Sequence, residues 1–181
     1  MNVILIGAQG SGKGTQAELL AKRVGLVPCA SGDLLRDEIA RATPLGREAK
    51  VYYDRGDLVP DEIVVEMILA RMRELGDRNG IILDGFPRTI PQARKLDERL
   101  AALGRAIDHV ISLDVPREQL LDRLSHRYIC RFAGHVWNTK TRPPSRPGIC
   151  DFDGSELYQR SDDTPEKITH RLDIFFGETI H

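Results

Sequence analysis

Residues Gly7-Ala8-Gln9-Gly10-Ser11-Gly12-Lys13-Gly14-Thr15 follow an apolar run, Val3 to Ile6, near the start of a 181-residue chain. They fit G-x-x-x-x-G-K followed by a small residue and a hydroxyl, a spacing that serves phosphate binding. The glycines let backbone N–H groups converge on phosphate oxygens with no Cβ in the way. A helix that follows, with Ala17, Leu20, Ala21 and Val24 on its apolar side, offers its N-terminus to an anion. Lys13 supplies a point charge for β- and γ-phosphates, and Thr15 brings a hydroxyl that can bear on Mg²⁺. The competing reading is a glycine-rich turn that binds nothing. A strand, a lysine and a hydroxyl in the right order weigh against it.

Two further groups stand at strand ends. Asp84-Gly85-Phe86-Pro87-Arg88 closes an apolar run and puts a carboxylate where it can hold Mg²⁺ or its waters. The alternative for Asp84 is a turn or helix-capping role. Ser31-Gly32-Asp33-x-x-Arg36 closes another run, and Arg36 adds a cationic fork. By itself Arg36 reads more readily as a solvated helix charge.

The elements that must position these residues alternate. Asn2–Ile6, Leu26–Ala30, Gly80–Leu83 and His109–Leu113 read as strands. Helical stripes lie between them: Ile63, Met67, Ile68 and Met72 after Pro60-Asp61; Leu96, Leu100 and Leu103; Leu120, Leu121 and Leu124 after Pro116. This order predicts a parallel sheet covered by helices, with ligands at the carboxyl ends of the strands. Residues 31–60 read as a small helical lobe. Residues 128–160 carry many Pro and Gly and little helical pattern, which predicts an irregular functional insertion.

Composition sets the outer bounds. Hydrophobic residues are 41% and charged residues 29%, as in an ordinary globular domain. A net charge of −1 argues against a bulk nucleic-acid binder. Arginines cluster locally instead (Arg117, Arg123, Arg127, Arg131), which fits a small polyanionic ligand. No apolar run is long enough to span a membrane or serve as a signal peptide, so the reading is a cytoplasmic protein. Three cysteines do not make a disulfide framework. Cys29 reads as core.

The motifs together resemble adenylate kinase of the long-lid bacterial type, in register from Asn2 to about Leu172. The match runs through Gly7–Thr15, Ser31-Gly32-Asp33, Asp57-Leu58-Val59-Pro60-Asp61, Asp84–Thr89, Gln92, Asp122-Arg123, Arg127, Arg160-x-Asp162-Asp163 and Arg171. The resemblance implies an α/β fold with a P-loop NTPase-type parallel sheet, in three parts. These are a core (1–30, 61–126, 161–181), an AMP-binding lobe (31–60) and a lid (127–160). It implies the reaction ATP + AMP ⇌ 2 ADP with Mg²⁺, by a monomer.

By the same resemblance, Gly10, Ser11, Gly12, Lys13, Gly14 and Thr15 hold the ATP phosphates. Arg123 and Arg127 meet ATP, and Val136 and Trp137 lie near it. Ser31, Arg36, Asp57, Leu58, Val59, Gly85, Phe86, Pro87, Arg88 and Gln92 surround AMP, with Gln92 reading the adenine edge. Arg160 and Arg171 approach the transferring phosphoryl, and with Lys13, Arg88 and Arg127 form the catalytic set. Asp84 and Asp33 hold Mg²⁺ through water. Phosphoryl transfer asks for alignment, exclusion of water and compensation of charge, which arginine forks supply.

The sequence departs from the family in three respects: at two single residues, at the lid ligand positions and at the C-terminal end. Gln9 stands where Pro is usual, and Ser31 where Thr is usual. Zinc-bearing members carry Cys-x-x-Cys and then Cys-x-x-Cys or Cys-x-x-Asp in the lid; here the positions hold Cys130 and Ala133, then Cys150 and Asp153. Two readings stay open: zinc on Cys130, Cys150 and Asp153 with His135 as a fourth ligand, or free thiols in a hydrogen-bonded hairpin. The third departure is the end at His181, where family members continue for another strand and helix. The expectation is that His109–Leu113 becomes an exposed sheet edge, with weaker ATP binding and lower stability. Rival functions are a kinase for another nucleoside monophosphate, a nucleotide-binding protein with little turnover, and a zinc-hairpin interaction module.

Overall fold

The computed structural model describes residues 1–55, 59–76, 80–160 and 163–179. Two compact units divide it: Met1–Gly7 with Gly12–Leu113, and Ala8–Ser11 with Asp114–His181.

The first unit is built on a parallel sheet of β1 (Val3–Ile6), β2 (Val27–Ala30), β3 (Ile81–Asp84) and β4 (His109–Ser112), ordered β2-β3-β1-β4. Side chains alternate across a strand. Ile4, Ile81 and Leu83 therefore face one way, onto α4 (Asp61–Leu75) and α5 (Ile90–Ala102) through Val65, Ile68, Leu69, Leu96 and Leu100. Val3, Leu5 and Ile82 face the other way, onto Ala17 and Ala21 of α1 (Lys13–Val24). A strand buried on both faces reads as an unbroken apolar run, which is why β1 and β3 are so legible. Each strand differs from its expected bounds by no more than a residue at either end.

The predicted helical lobe is α2 (Ser31–Ala40) and α3 (Pro44–Arg55). Its core is Ala49, Ile63 and Met67, with Leu35, Tyr52 and Val59 packed against them. Thr43 starts α3 by accepting from Gly46 N–H at 3.0 Å. Gly46 is required by packing: a Cβ there would run into the backbone of Glu38 on α2.

Two helix readings need correction. Leu103 lies past the end of α5 and is 46% exposed, and Val24 on α1 is 45% exposed. Both continue a heptad-like pattern beyond the surface that the sheet covers. β4 pairs with β1 alone among the described residues, and Val110 and Ile111 are 57% and 42% exposed, as expected for an edge.

The second unit contains α6 (Arg117–Ser125), α7 (Pro165–Ile174) and a π-helical turn, Phe175–Thr179. Leu120, Leu124, Ile168 and Leu172 pack with Ala8, and Phe175 and Phe176 rest against them. Thr164 caps α7 by accepting from Lys167 N–H at 3.4 Å, with Pro165 at its first position. Residues 128–160 are more regular than expected. β5 (Arg127–Cys130), β6 (Val136–Asn138) and β7 (Leu157–Tyr158) form an antiparallel sheet in the order β6-β5-β7. The strands are too short for periodicity to reveal.

Candidate active site

Register decides what meets at the sheet's carboxyl end. Asp84 is paired with Leu5 on one side and Ala30 on the other. The chain therefore leaves β2 at Ser31 beside Gly85, and leaves β1 toward the phosphate-binding sequence. Gly85 adopts φ +79, and a Cβ there would lie 3.0 Å from Ser31 Oγ and 3.6 Å from an Arg88 nitrogen. Glycine at this position keeps the floor of the site open.

In the first unit, Gly12 sits in the left-handed region just before α1, and Lys13 opens the helix. Lys13 is 9% exposed. Its ammonium donates to Gly7 O at 2.6 Å and lies 3.8 Å from Asp84 Oδ1. Gly14 is close enough to Asp84 that an added Cβ would stand 3.8 Å from its Oδ2, and Thr15 is exposed on the first turn. In the second unit, Ser11 is 6% exposed and its hydroxyl has no hydrogen-bond partner among the described residues, nor has Gln9 Oε1. A buried hydroxyl without a partner is costly unless something fills its valence. Gly10, at φ +83, packs against Leu124, and Arg123 donates to Gly10 O at 3.3 Å.

Asp84 is an unusual carboxylate. Burial raises its pKa above the ordinary value, Lys13 and Arg88 pull it down, and Asp33 pushes it up. The net direction is upward, so desolvation wins over two cations. Asp33, Asp84 and Gly14 line one cavity of about 350 Å³ with Cys29 and Glu18. Burial pushes the Cys29 thiol up to about 11, so it is core-like and unreactive.

Arg36 pairs with Asp33 on α2. Burial disfavours its charge, but Asp33 and Tyr53 more than offset this and raise its pKa. Arg88 Nε donates to Gly85 O at 2.8 Å. Gln92 accepts from Arg88 N–H at 2.6 Å through Oε1, and donates from Nε2 to Asp61 Oδ1 at 2.7 Å. Phe86 is buried with the core, whereas Pro87 is half-buried. Val59 packs under the α2–α3 lobe. Asp57 and Leu58 lie outside the described residues.

The second unit gathers Arg127 and Arg171 on one carboxylate. Arg127 grips Asp163 with two nitrogens, Nε to Oδ2 at 2.9 Å and Nη2 to Oδ1 at 2.6 Å. Arg171 Nη1 is 3.7 Å from the same Oδ1, and the Asp163 side chain is fully buried. Arg160 accepts from Asp163 N–H through its carbonyl at 3.0 Å. Trp137 is only 3% exposed and packs with Cys130, Cys150 and Leu157, while Val136 is 45% exposed. Val136 and, in part, Asn138 are thus the residues of β6 that remain accessible.

The expected metal-ligand residues converge. One ligand atom each from Cys130, His135, Cys150 and Asp153 lies within 4.8 Å of all the others. His135 Nδ1 is 3.4 Å from both sulfurs and 3.2 Å from Asp153 Oδ2. Hydrogen bonds from Ser155 hold the Asp153 carboxyl well below the usual range.

Two site-building residues escaped the sequence reading: Asp61 and Asp163. Both sat inside the quoted motifs, but nothing in their spacing assigned them a partner.

A parallel sheet with a glycine-rich loop after its first strand, a buried lysine on that loop and an aspartate one strand away defines a P-loop nucleotide phosphotransferase. Comparison with known sequences narrows it. The sequence model described as Adenylate kinase matches residues 5–180, and the chain belongs to the adenylate kinase family. The adenylate kinase of Carboxydothermus hydrogenoformans is 47% identical over 99% of this chain and 84% of its own length. Those of Caldicellulosiruptor bescii and Brevibacillus brevis are each 48% identical over 99% of this chain, and over 83% and 84% of their own lengths. No helix among the described residues is long and apolar enough to cross a membrane.

Proposed function

We infer that the chain is a phosphotransferase catalysing ATP + AMP ⇌ 2 ADP, the adenylate kinase reaction, acting as a monomer. The observation that carries this is Lys13, buried at the start of α1 and held beside Asp84 by Gly7 O. Buried lysine is tolerated only where a function or a partner demands it. On this reading Lys13 meets the ATP phosphates with the backbone from Gly10 to Thr15, and the partnerless Ser11 hydroxyl has a phosphate oxygen to bond.

Asp84, Asp33 and Thr15 suit Mg²⁺, a hard cation that takes carboxylate and hydroxyl oxygens and keeps several waters. The raised pKa of Asp84 supports this, because a cation would relieve the cost of its buried charge. When bound, Mg²⁺ compensates phosphate charge. Ser31, Arg36, Val59, Gly85, Arg88 and Gln92 hold the acceptor, with Gln92 facing its base. Arg123 and Arg127 serve ATP, with the backbone at Val136 and Trp137. Arg160 and Arg171, with Arg88, carry charge on the transferring phosphoryl. Their work is to align two nucleotides and offset charge, with no general base required.

We also propose a structural zinc in the lid. Zinc bonds of about 2.0–2.3 Å put tetrahedral ligands about 3.3–3.8 Å apart. The Cys130–His135, Cys150–His135, Cys130–Asp153 and His135–Asp153 separations of 3.2–3.4 Å are close to those edges, and the four ligand atoms all lie within 4.8 Å of one another. His135 thus takes the place that Ala133 leaves vacant.

The test of the reaction is coupled ADP formation with ATP and a panel of acceptors. AMP is expected to be turned over well and UMP and GMP poorly. Equal turnover with UMP or GMP would overturn the acceptor assignment, and no ADP with any acceptor would overturn the reaction.

A further inference from the structure

Gln92 has both ends of its amide engaged, and by partners of opposite kind. Asp61, a carboxylate on the first turn of α4, can only accept, and it takes one Nε2 hydrogen at 2.7 Å. The Arg88 backbone N–H can only donate, and it fills one lone pair of Oε1 at 2.6 Å. An amide has two N–H groups and two lone pairs. One N–H and one lone pair of Gln92 are thus left over. A free glutamine can turn its amide over and present donor and acceptor in either order. Here turning it over would set Oε1 against the Asp61 carboxylate and N–H against N–H. The pair of partners therefore fixes which end is donor and which is acceptor.

That order distinguishes bases. A 6-aminopurine offers a donor at position 6 and an acceptor at N1, and it matches a fixed amide of one orientation. A 6-oxopurine offers an acceptor at position 6 and a donor at N1, and it meets the same amide with both ends mismatched. We propose that Asp61 is a positioning residue for acceptor selection: with the Arg88 N–H it locks the Gln92 amide to accept a 6-aminopurine monophosphate and reject a 6-oxopurine one. This rests on the reading that Gln92 faces the acceptor base. A site built to hydrogen-bond a substrate discriminates because a mismatch leaves buried polar groups unpaired.

The probe pair is AMP and IMP, which share ribose, phosphate and ring system and differ at this edge. The full chain is compared as wild type, Asp61→Asn and Gln92→Ala, reading kcat and KM for each acceptor at saturating ATP. Calorimetric binding of AMP and IMP gives the same ratio without turnover. Asp61→Asn keeps the side chain's size but can donate as well as accept, so it frees the amide. The expected result is a higher KM for AMP and a fall of about tenfold in the AMP-to-IMP preference, the value of one hydrogen bond. The KM for ATP and the melting temperature should move little, which separates positioning from a general structural role. Asp61→Glu, which retains the carboxylate, should keep more of the preference than Asp61→Asn. If Gln92→Ala loses the preference but Asp61→Asn keeps it, the lock is refuted and the reading of Gln92 stands. If neither variant changes the preference, Gln92 does not read the base, and the proposal falls with it.

Discussion

Asp84 carries a charge that its burial disfavours. Its pKa is raised, so in the folded state the ionised form is disfavoured even beside Lys13 and Arg88. The folded protein then binds a proton that the unfolded chain lacks, over the window between the ordinary carboxylate pKa and the raised one. The contribution of Asp84 to stability therefore rises as pH falls through that window. Asp84→Asn removes the buried charge and keeps the shape. At neutral pH it should melt no lower than wild type, and turnover at fixed Mg²⁺ should fall sharply. The stability gap between the two should close on acidification. Melting curves across pH, paired with ADP formation, check both halves; a clearly less stable Asp84→Asn at neutral pH would contradict the sign. Asp84 was legible in the sequence because a lone carboxylate ended an apolar run. Its partner Lys13 was legible from the loop pattern. The Asp61–Gln92 contact was not, because the two residues stand 31 apart and only the packing of α4 against α5 brings them together.

At the scale of elements, Asp163 joins β5 to the start of α7. Its fully buried carboxylate takes two hydrogen bonds from Arg127 and lies near Arg171. A buried ion pair adds little over apolar packing, yet removing one partner is expensive because a buried charge is left behind. Asp163→Ala should destabilise the second unit by about 3–5 kcal/mol. Denaturant unfolding measures it, and a loss under 1 kcal/mol would mean that solvent reaches the arginines and screens them. The family resemblance implied ligand-binding roles for Arg127 and Arg171, but no residue spacing showed that one carboxylate gathers them. Helices α1, α4, α5 and α6 were readable from apolar spacing and from start signals such as Pro60-Asp61 and Pro116. The sheet β6-β5-β7 was hidden: strands of two to four residues offer too few alternations to read. Gly46 was equally silent, since its reason is the proximity of α2 and α3 rather than any turn.

For the molecule as a whole, each unit carries hydrophobic clusters of its own, so unfolding need not be a single step. The chain has one tryptophan, Trp137, and it is buried among Cys130, Cys150 and Leu157 in the β6-β5-β7 sheet. Tryptophan fluorescence therefore reports on the second unit, whereas helical circular dichroism draws largely on α1 to α5 of the first. Metal that binds the folded state and not the unfolded one stabilises what it binds. With zinc on Cys130, His135, Cys150 and Asp153, chelation should lower the temperature of the fluorescence transition and leave the dichroism transition of the first unit nearly in place. A Cys150→Ala variant should already melt early by fluorescence and should not respond to chelator, because one thiolate is gone. Metal analysis of protein purified without chelator should give about one zinc per chain. A fluorescence transition indifferent to chelator, in protein that carries no zinc, would leave residues 127–160 as a hydrogen-bonded hairpin of free thiols held by Ser155, Asp153 and His135.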